Sequence, residues 1–295
     1  MDNYIKIKNK LIEVEIYDKV KDYSKEKNRV LAYFEIGKIL AESNAKYGDN
    51  IIEEYSKKLV IEVGKKYNAR TLRSMRQLYN TFNDEIWKPV VSKLSWTNLL
   101  VIMPLNDVNR ISYYIDQAIK RNLTKRQLQE IIKNKEYERL PESTKNKLIN
   151  KEDISIEDNI KNPIIIKNNS NEEINEKILQ RLILEDITSF MKELGNGYSF
   201  IDNEYKIKVG DRYNYIDILL YNIEFNCYVV VELKVTELKK EHIGQIELYM
   251  NYIDTNLKKI TQNKTIGIII CRKNNKYVIE YCSDKRILSR EYELI

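Results

Sequence analysis

Three cysteines and a single histidine are all the thiolate and imidazole metal-ligand chemistry available to this 295-residue chain. Cys227, Cys271 and Cys282 lie far apart and never form a CxxC pair, which argues against a disulfide framework and a thiolate zinc site. With His242 as the one histidine, His-ligated zinc and the HExxH motif are excluded, and any histidine-dependent triad would have to use it. The eight glycines form neither a P-loop nor GxGxxG, so no nucleotide cofactor is expected. No run approaches the ~18–20 apolar residues of a membrane helix, so no membrane partner is expected either. The opening MDNYIKIKNK lacks the apolar core of a signal peptide, and a cytoplasmic location is the expectation. What remains is chemistry done by carboxylates, lysine and a hard metal ion.

The chain is long enough for about two domains at roughly 100–200 residues each. Its 43% apolar and 10% aromatic content suffices for ordinary cores. A net charge of +6 conceals an asymmetry. Residues 1–150 carry 29 Lys and Arg against 20 Asp and Glu, whereas 151–295 carry 21 against 24. A basic half joined to a mildly acidic half suggests a polyanion-binding part and a metal-binding part. A Lys-rich composition would also raise lysine everywhere, so charge alone leaves nucleic-acid binding open.

Residues 1–140 carry apolar positions at three-to-four spacing and read as helical. Tyr47-Gly48-Asp49 is a break, with Asp49 expected to cap a helix over Ile51 to Val63. Gly64 to Asn68 is the next turn, followed by the helix ARTLRSMRQLYNTF. Ser95 and Thr124 stand where caps belong, before SWTNLLVIM and TKRQLQEIIKN, and DVNRISYYIDQAIKR lies between these helices. Pro141 opens a polar stretch, and 141–176 reads as a surface linker. From 177 the pattern changes to α-β-β-β-α-β-β: one amphipathic helix ending at Gly195-Asn196-Gly197, then EYKIKV, RYNYIDILLY, CYVVVELKV, the helix KKEHIGQIELYMNYID, TIGIIIC and KYVIEYC. The crossover from CYVVVELKV to TIGIIIC should leave those strands parallel.

Tyr213 to Val235 is the informative stretch. Two strands flank the turn Asn222 to Asn226, within the loop lengths of hairpins. With Tyr221 opposite Tyr228, Asp217 falls opposite Glu232, and paired side chains share a face with Cβ atoms about 5 Å apart. Alternation adds Lys234 to that face and turns Val229, Val231 and Leu233 the other way. Two like charges so close are costly unless a cation sits between them, and a hard divalent ion with oxygen ligands is the natural one. Such an ion can polarise a phosphoryl group and supply hydroxide, while Lys234 would stabilise charge in the transition state. A cross-strand salt bridge is the plain alternative, and E-x-K occurs elsewhere, at Glu204 to Lys206 and Glu237 to Lys239. Only the middle copy ends a buried strand with an acid on its partner.

Asp217 followed by Glu232-Leu233-Lys234 resembles the signature of the PD-(D/E)XK nuclease superfamily. Gln245-Ile-Glu-Leu-Tyr249 is similar to the QxxxY motif of its RecB-like members. Stretches such as YFEIGKIL, TLRSMRQLYNTF, YNYIDILLYN, VVVELKV and GQIELYMNYID extend the resemblance to the YhcG-like family over nearly the whole chain. The resemblance implies a two-domain α+β protein: an all-α domain over 1–140, then an αβββαβ restriction-endonuclease-like α/β domain over 177–295. It implies metal-binding acids at Asp217 and Glu232, a catalytic lysine at Lys234, a further acid at Glu185, and substrate-positioning residues at Gln245 and Tyr249. With the carbonyl of Leu233, these acids would hold Mg²⁺, for which Mn²⁺ should substitute. Ile216 stands in place of the nominal proline, a residue that does no chemistry. On the residues alone, a Gln–Tyr pair one helical turn apart is ordinary packing, and His242 reads as an exposed residue at a helix start.

In ARTLRSMRQLYNTF, Leu72, Met75 and Tyr79 form one stripe, with Arg70 and Arg73 off it and Arg76 on its flank. Preceded by a helix and a turn, this could be the second helix of a helix-turn-helix whose arginines meet phosphates. A self-association surface is the other reading, giving a homo-oligomer through the helical domain. The expected function is thus a Mg²⁺-dependent nuclease hydrolysing DNA in restriction, defence or repair, with RNA still open as substrate. The alternative is a non-catalytic binding or scaffolding subunit of a restriction or defence complex.

Overall fold

Helical periodicity fills the first 137 residues and strand periodicity dominates the rest. The computed structural model accordingly divides into two units, Met1–Tyr137 and Glu138–Ile295. It describes residues 3–20, 24–47, 50–83, 87–169 and 172–295. The first unit is all-α among its described residues: α1 (Asn3–Val20), α2 (Lys25–Tyr47), α3 (Asn50–Glu62), α4 (Ala69–Thr81), α5 (Trp87–Val91), α6 (Trp96–Ile102), α7 (Val108–Lys120) and α8 (Lys125–Lys133). Short polar side chains start α4, α6, α7 and α8 by accepting otherwise unpaired N–H groups. Ser95 accepts from Asn98 N, and Thr124 forms a reciprocal capping box with Gln127, as their spacing suggests. Asn68 caps α4 and Asp107 caps α7 in the same way. The expected cap Asp49, with Gly48, lies outside the described residues. Helix α4 buries Leu72, Met75 and Leu78, with Tyr79 half-buried against the edge of Phe34. It crosses α2 at Gly37, where an added Cβ would lie 2.1 Å from the Met75 carbonyl oxygen.

The second unit begins with α9 (Glu142–Asn150), α10 (Ile156–Asn159) and β1 (Ile164–Ile166), then α11 (Glu176–Glu185) and α12 (Ile187–Leu194). It continues through β2 (Tyr198–Val209), β3 (Arg212–Asn222), β4 (Cys227–Glu237), α13 (Lys240–Asn256), β5 (Ile266–Lys273), α14 (Lys276–Glu280) and β6 (Ile287–Leu294). One six-stranded sheet runs β1-β6-β5-β4-β3-β2. Strands β2, β3 and β4 pair antiparallel; β4, β5, β6 and β1 pair parallel. Leu179, Leu182, Ile183, Phe190 and Leu194 of α11 and α12 pack against Ile218, Val229, Val231 and Leu233. Ile246, Met250 and Ile253 of α13 cover the opposite face at Leu219, Val230 and Ile269. The sheet is thus enclosed between helices, which is why its central strands are almost wholly apolar.

Three expectations are corrected. Residues 141–176 are not a surface linker: they supply α9, α10 and β1, whose Ile164 to Ile166 pair with Tyr292 to Leu294. Buried Arg290 anchors this segment by donating to the carbonyls of Glu157 and Ile160. The single helix expected after 177 is two, broken at Asp186, whose carboxylate caps α12 at Ser189 N. KYVIEYC is not a strand: residues 276–280 form α14, capped by Asn275. Strand β6 lies parallel to β5, and parallel neighbours need a crossover, so this segment belongs to the connection.

Candidate active site

Strands β3 and β4 pair as Ile218↔Val231, Leu219↔Val230, Leu220↔Val229, Tyr221↔Tyr228 and Asn222↔Cys227. Beyond Ile218 the ladder stops, and the Asp217 carboxylate takes over by accepting from Leu233 N at 2.7 Å. The strands fork there, and polar side chains fill the opening. The Asp217 and Glu232 carboxyls lie close enough for the charge of one to disfavour that of the other. Lys234 Nζ donates to Glu232 Oε1 at 2.9 Å. Glu232 is only 2% exposed and Lys234 7%, so this is a desolvated cluster, not a surface ion pair.

Helix α13 delivers a second set of groups. His242 is buried rather than exposed, because its Nδ1 accepts from Lys239 N and so caps the helix start. One turn later Gln245 Nε2 donates to Glu232 Oε1 at 2.8 Å and to the Tyr249 hydroxyl at 3.1 Å. Gln245 and Tyr249 therefore meet the carboxylate cluster and not only one another.

Helix α11 brings a different acid from the one expected. Glu185 is exposed and pairs with Arg181 at 3.7 Å. The helix's contact with the cluster is Glu176, whose carboxylate lies 3.7 Å from Lys234 Nζ. Nine residues at 100° per residue put Glu185 half a turn around the helix from Glu176. Gln180, one turn beyond Glu176, donates to the backbone oxygen of Asp217 at 2.8 Å. An acid and an amide at i and i+4 near the helix start were the available signal.

Burial and the neighbouring Asp217 push the Glu232 carboxyl up to about 8, and burial also raises Asp217. Burial opposes the charge of Lys234, but Glu232, Glu176 and Asp217 outweigh it and hold the ammonium above its ordinary range. Glu232 Oε2 is buried without a hydrogen-bond partner among the described residues. Among the described residues no group of three or more His, Cys, Asp or Glu forms a metal-ligand set. A group with a raised folded-state pKa stabilises fully below its unfolded value and loses that contribution as pH rises through the folded one. The metal-free protein should therefore lose stability between about pH 5 and about pH 8. Glu232→Gln should flatten that part of a denaturant-midpoint profile; an unchanged slope would assign the loss to other groups.

The three arginines of α4 do not act alike. Arg73 pairs with Glu53 of α3, Arg76 is half-buried, and Arg70 is exposed. Arg70 lines a cavity of about 640 Å³ with Ser74, Gln77, Trp96, Lys125 and Gln129. The row predicted from spacing thus splits, because α3 covers one side of α4.

Residues 157–295 match the family model of the YhcG PDDEXK nuclease domain, and residues 15–139 match that of the DUF1016 N-terminal domain. The chain is 22% identical over 308 aligned positions to YhcG of Escherichia coli (strain K12), a candidate nuclease, covering 89% of this chain and 82% of that protein. Among solved structures, a repair endonuclease from Pyrococcus abyssi aligns over 41% of this chain and 48% of its own, at 18% identity and a TM-score of 0.30. A complex of EndoMS with double-stranded DNA aligns over 43% and 48%, at 18% identity and a TM-score of 0.29. The two family models follow one another along nearly the whole sequence, and the chain belongs to the YhcG-like family of PD-(D/E)XK nuclease domain proteins.

Proposed function

We propose that the chain is a metal-dependent nuclease that hydrolyses phosphodiester bonds of DNA. The observation that carries this reading is the buried cluster at the fork of β3 and β4, where Glu232 Oε2 has no hydrogen-bond partner among the described residues. An unpaired carboxylate oxygen in a desolvated site is expensive, and a hard cation is the group that would satisfy it. Asp217, Glu232 and the carbonyl of Leu233 would hold Mg²⁺ or Mn²⁺, with water and substrate oxygens completing its shell. When bound, such an ion polarises the phosphoryl group and supplies hydroxide near neutral pH. Lys234 keeps a fixed positive charge beside the reacting phosphate and stabilises the added negative charge as attack proceeds. Gln245 orients Glu232, and Tyr249 holds Gln245 in place. Gln180 holds the Asp217 backbone, so these three are positioning residues. Glu176 acts through Lys234, and Glu185 is left to the solvent.

In the helical unit, Arg70 and Lys125 are the cations we assign to backbone phosphates. Arg73 already has a carboxylate partner, and Arg76 would add less. Losing both Arg70 and Lys125 should lower the log–log salt slope of duplex binding by roughly 0.9 per lost contact. Normal binding with loss of self-association would make that face an oligomer contact instead.

The test is a cleavage panel of linear, circular, branched and single-stranded DNA plus RNA with Mg²⁺ or Mn²⁺, beside titration calorimetry of the ion alone. Cleavage and metal binding that both vanish in Asp217→Ala/Glu232→Ala support the reading. A chain that binds DNA and cuts nothing in the panel would be a binding subunit, and cleavage of RNA alone would move the substrate.

A further inference from the structure

The hairpin of β2 and β3 extends past the cluster, and its outer end has an unusual surface. Lys206 pairs with Tyr215 and Lys208 with Tyr213, so these four side chains share one face. Ile207 and Ile216 on the opposite side are buried, which turns the four outward. Tyr213 is 54% exposed and Tyr215 51%. Lys206 Nζ stands 3.9 Å from the centroid of the Tyr213 ring. Among the described residues neither lysine has a carboxylate partner, and Arg212 beside them is exposed. Tyr215 and Tyr213 are two and four residues from Asp217 on the same strand, about 7 and 13 Å along it at 3.3 Å per residue.

Resting on the nuclease reading above, we infer that this ribbon binds an unpaired nucleic-acid strand and leads it to the Asp217–Glu232–Lys234 cluster. Exposed aromatic rings offer stacking surfaces to bases, and cations between them meet the phosphates. Inside a duplex the base faces are already covered by their neighbours, so the tyrosines favour a strand that is single, frayed or splayed. An acidic peptide would use the lysines and leave the rings idle. The enzyme should accordingly act where DNA or RNA has an unpaired segment beside the scissile phosphate.

The test measures binding of labelled single-stranded DNA, single-stranded RNA and blunt duplex DNA to the full chain in EDTA, so that no cleavage is involved. Tyr213→Ala/Tyr215→Ala should raise the single-strand Kd by roughly tenfold or more and leave duplex Kd within about twofold. Tyr213→Phe/Tyr215→Phe keeps the rings and should bind like the parent. Lys206→Ala/Lys208→Ala should lower the single-strand salt slope by roughly 0.7 per lost contact. Circular dichroism of each variant checks the fold; were the alanine pair misfolded, the single variants Tyr213→Ala and Tyr215→Ala would decide, each expected to weaken single-strand binding several-fold and to leave duplex binding within about twofold. An unchanged single-strand Kd in the alanine pair, an equal loss on duplex, or a loss confined to the lysine pair would each overturn the inference. A chain that holds strands through these tyrosines yet cleaves none of the panel would uphold it while removing the nuclease reading.

Discussion

Lys234→Met should leave DNA binding largely intact and slow cleavage by roughly a hundredfold to a thousandfold, the usual loss for one preorganised charge-stabilising donor. Lys234 Nζ lies 2.9 Å from Glu232 Oε1, deep in a site where a charge acts with little screening by water. Its effect therefore belongs to the transition state, and rate should suffer more than affinity. Removing a cation from a buried pair ordinarily costs about 3–5 kcal/mol. Here Glu232 can take up a proton instead, since burial and the neighbouring Asp217 already raise its carboxyl well above the usual carboxylate range, so the variant should stay folded at neutral pH. Single-turnover rates at saturating enzyme separate chemistry from binding. A rate within tenfold of the parent would remove Lys234 from the mechanism. In the same assay Glu176→Gln should slow cleavage and Glu185→Gln should not, because only Glu176 reaches Lys234.

Gly37→Ala should destabilise the helical unit by about 2–3 kcal/mol, within the usual cost of overpacking a tight contact. Propensity alone argues the other way, because alanine in a helix interior is worth about 1 kcal/mol over glycine. The contact decides the sign. An added methyl would meet Met75 O at 2.1 Å and Met75 C at 2.8 Å, backbone atoms that cannot rotate aside. The α2–α4 crossing would have to open, loosening Phe34, Met75 and Tyr79. Gly64→Ala is the control, with nothing within 4 Å of its Cβ. Urea midpoints of the two variants make the comparison, and a Gly37→Ala midpoint at or above the parent's would refute the close approach.

The hairpin and its carboxylates were legible in the sequence because their determinants are local. Alternation in RYNYIDILLY and CYVVVELKV sets the two faces, and the short turn at Asn222–Asn226 sets the register. Tyr221 thus meets Tyr228, and one step past the end of the ladder the Asp217 carboxylate comes to Leu233 N, beside Glu232. Caps such as Ser95 and Thr124 are equally local, each within three residues of the N–H it satisfies. What the sequence could not convey rests on partners far along the chain. Ile164 to Ile166 is too short to read as a strand until β6 lies beside it. KYVIEYC has strand composition, but the parallel place next to β5 is already taken by 287–294. The face of α11 that meets the sheet makes Glu176 and not Glu185 the acid at the cluster, and α3 lying over α4 splits Arg73 from Arg70. Periodicity specifies which residues of an element share a side; only packing decides which neighbour that side will face.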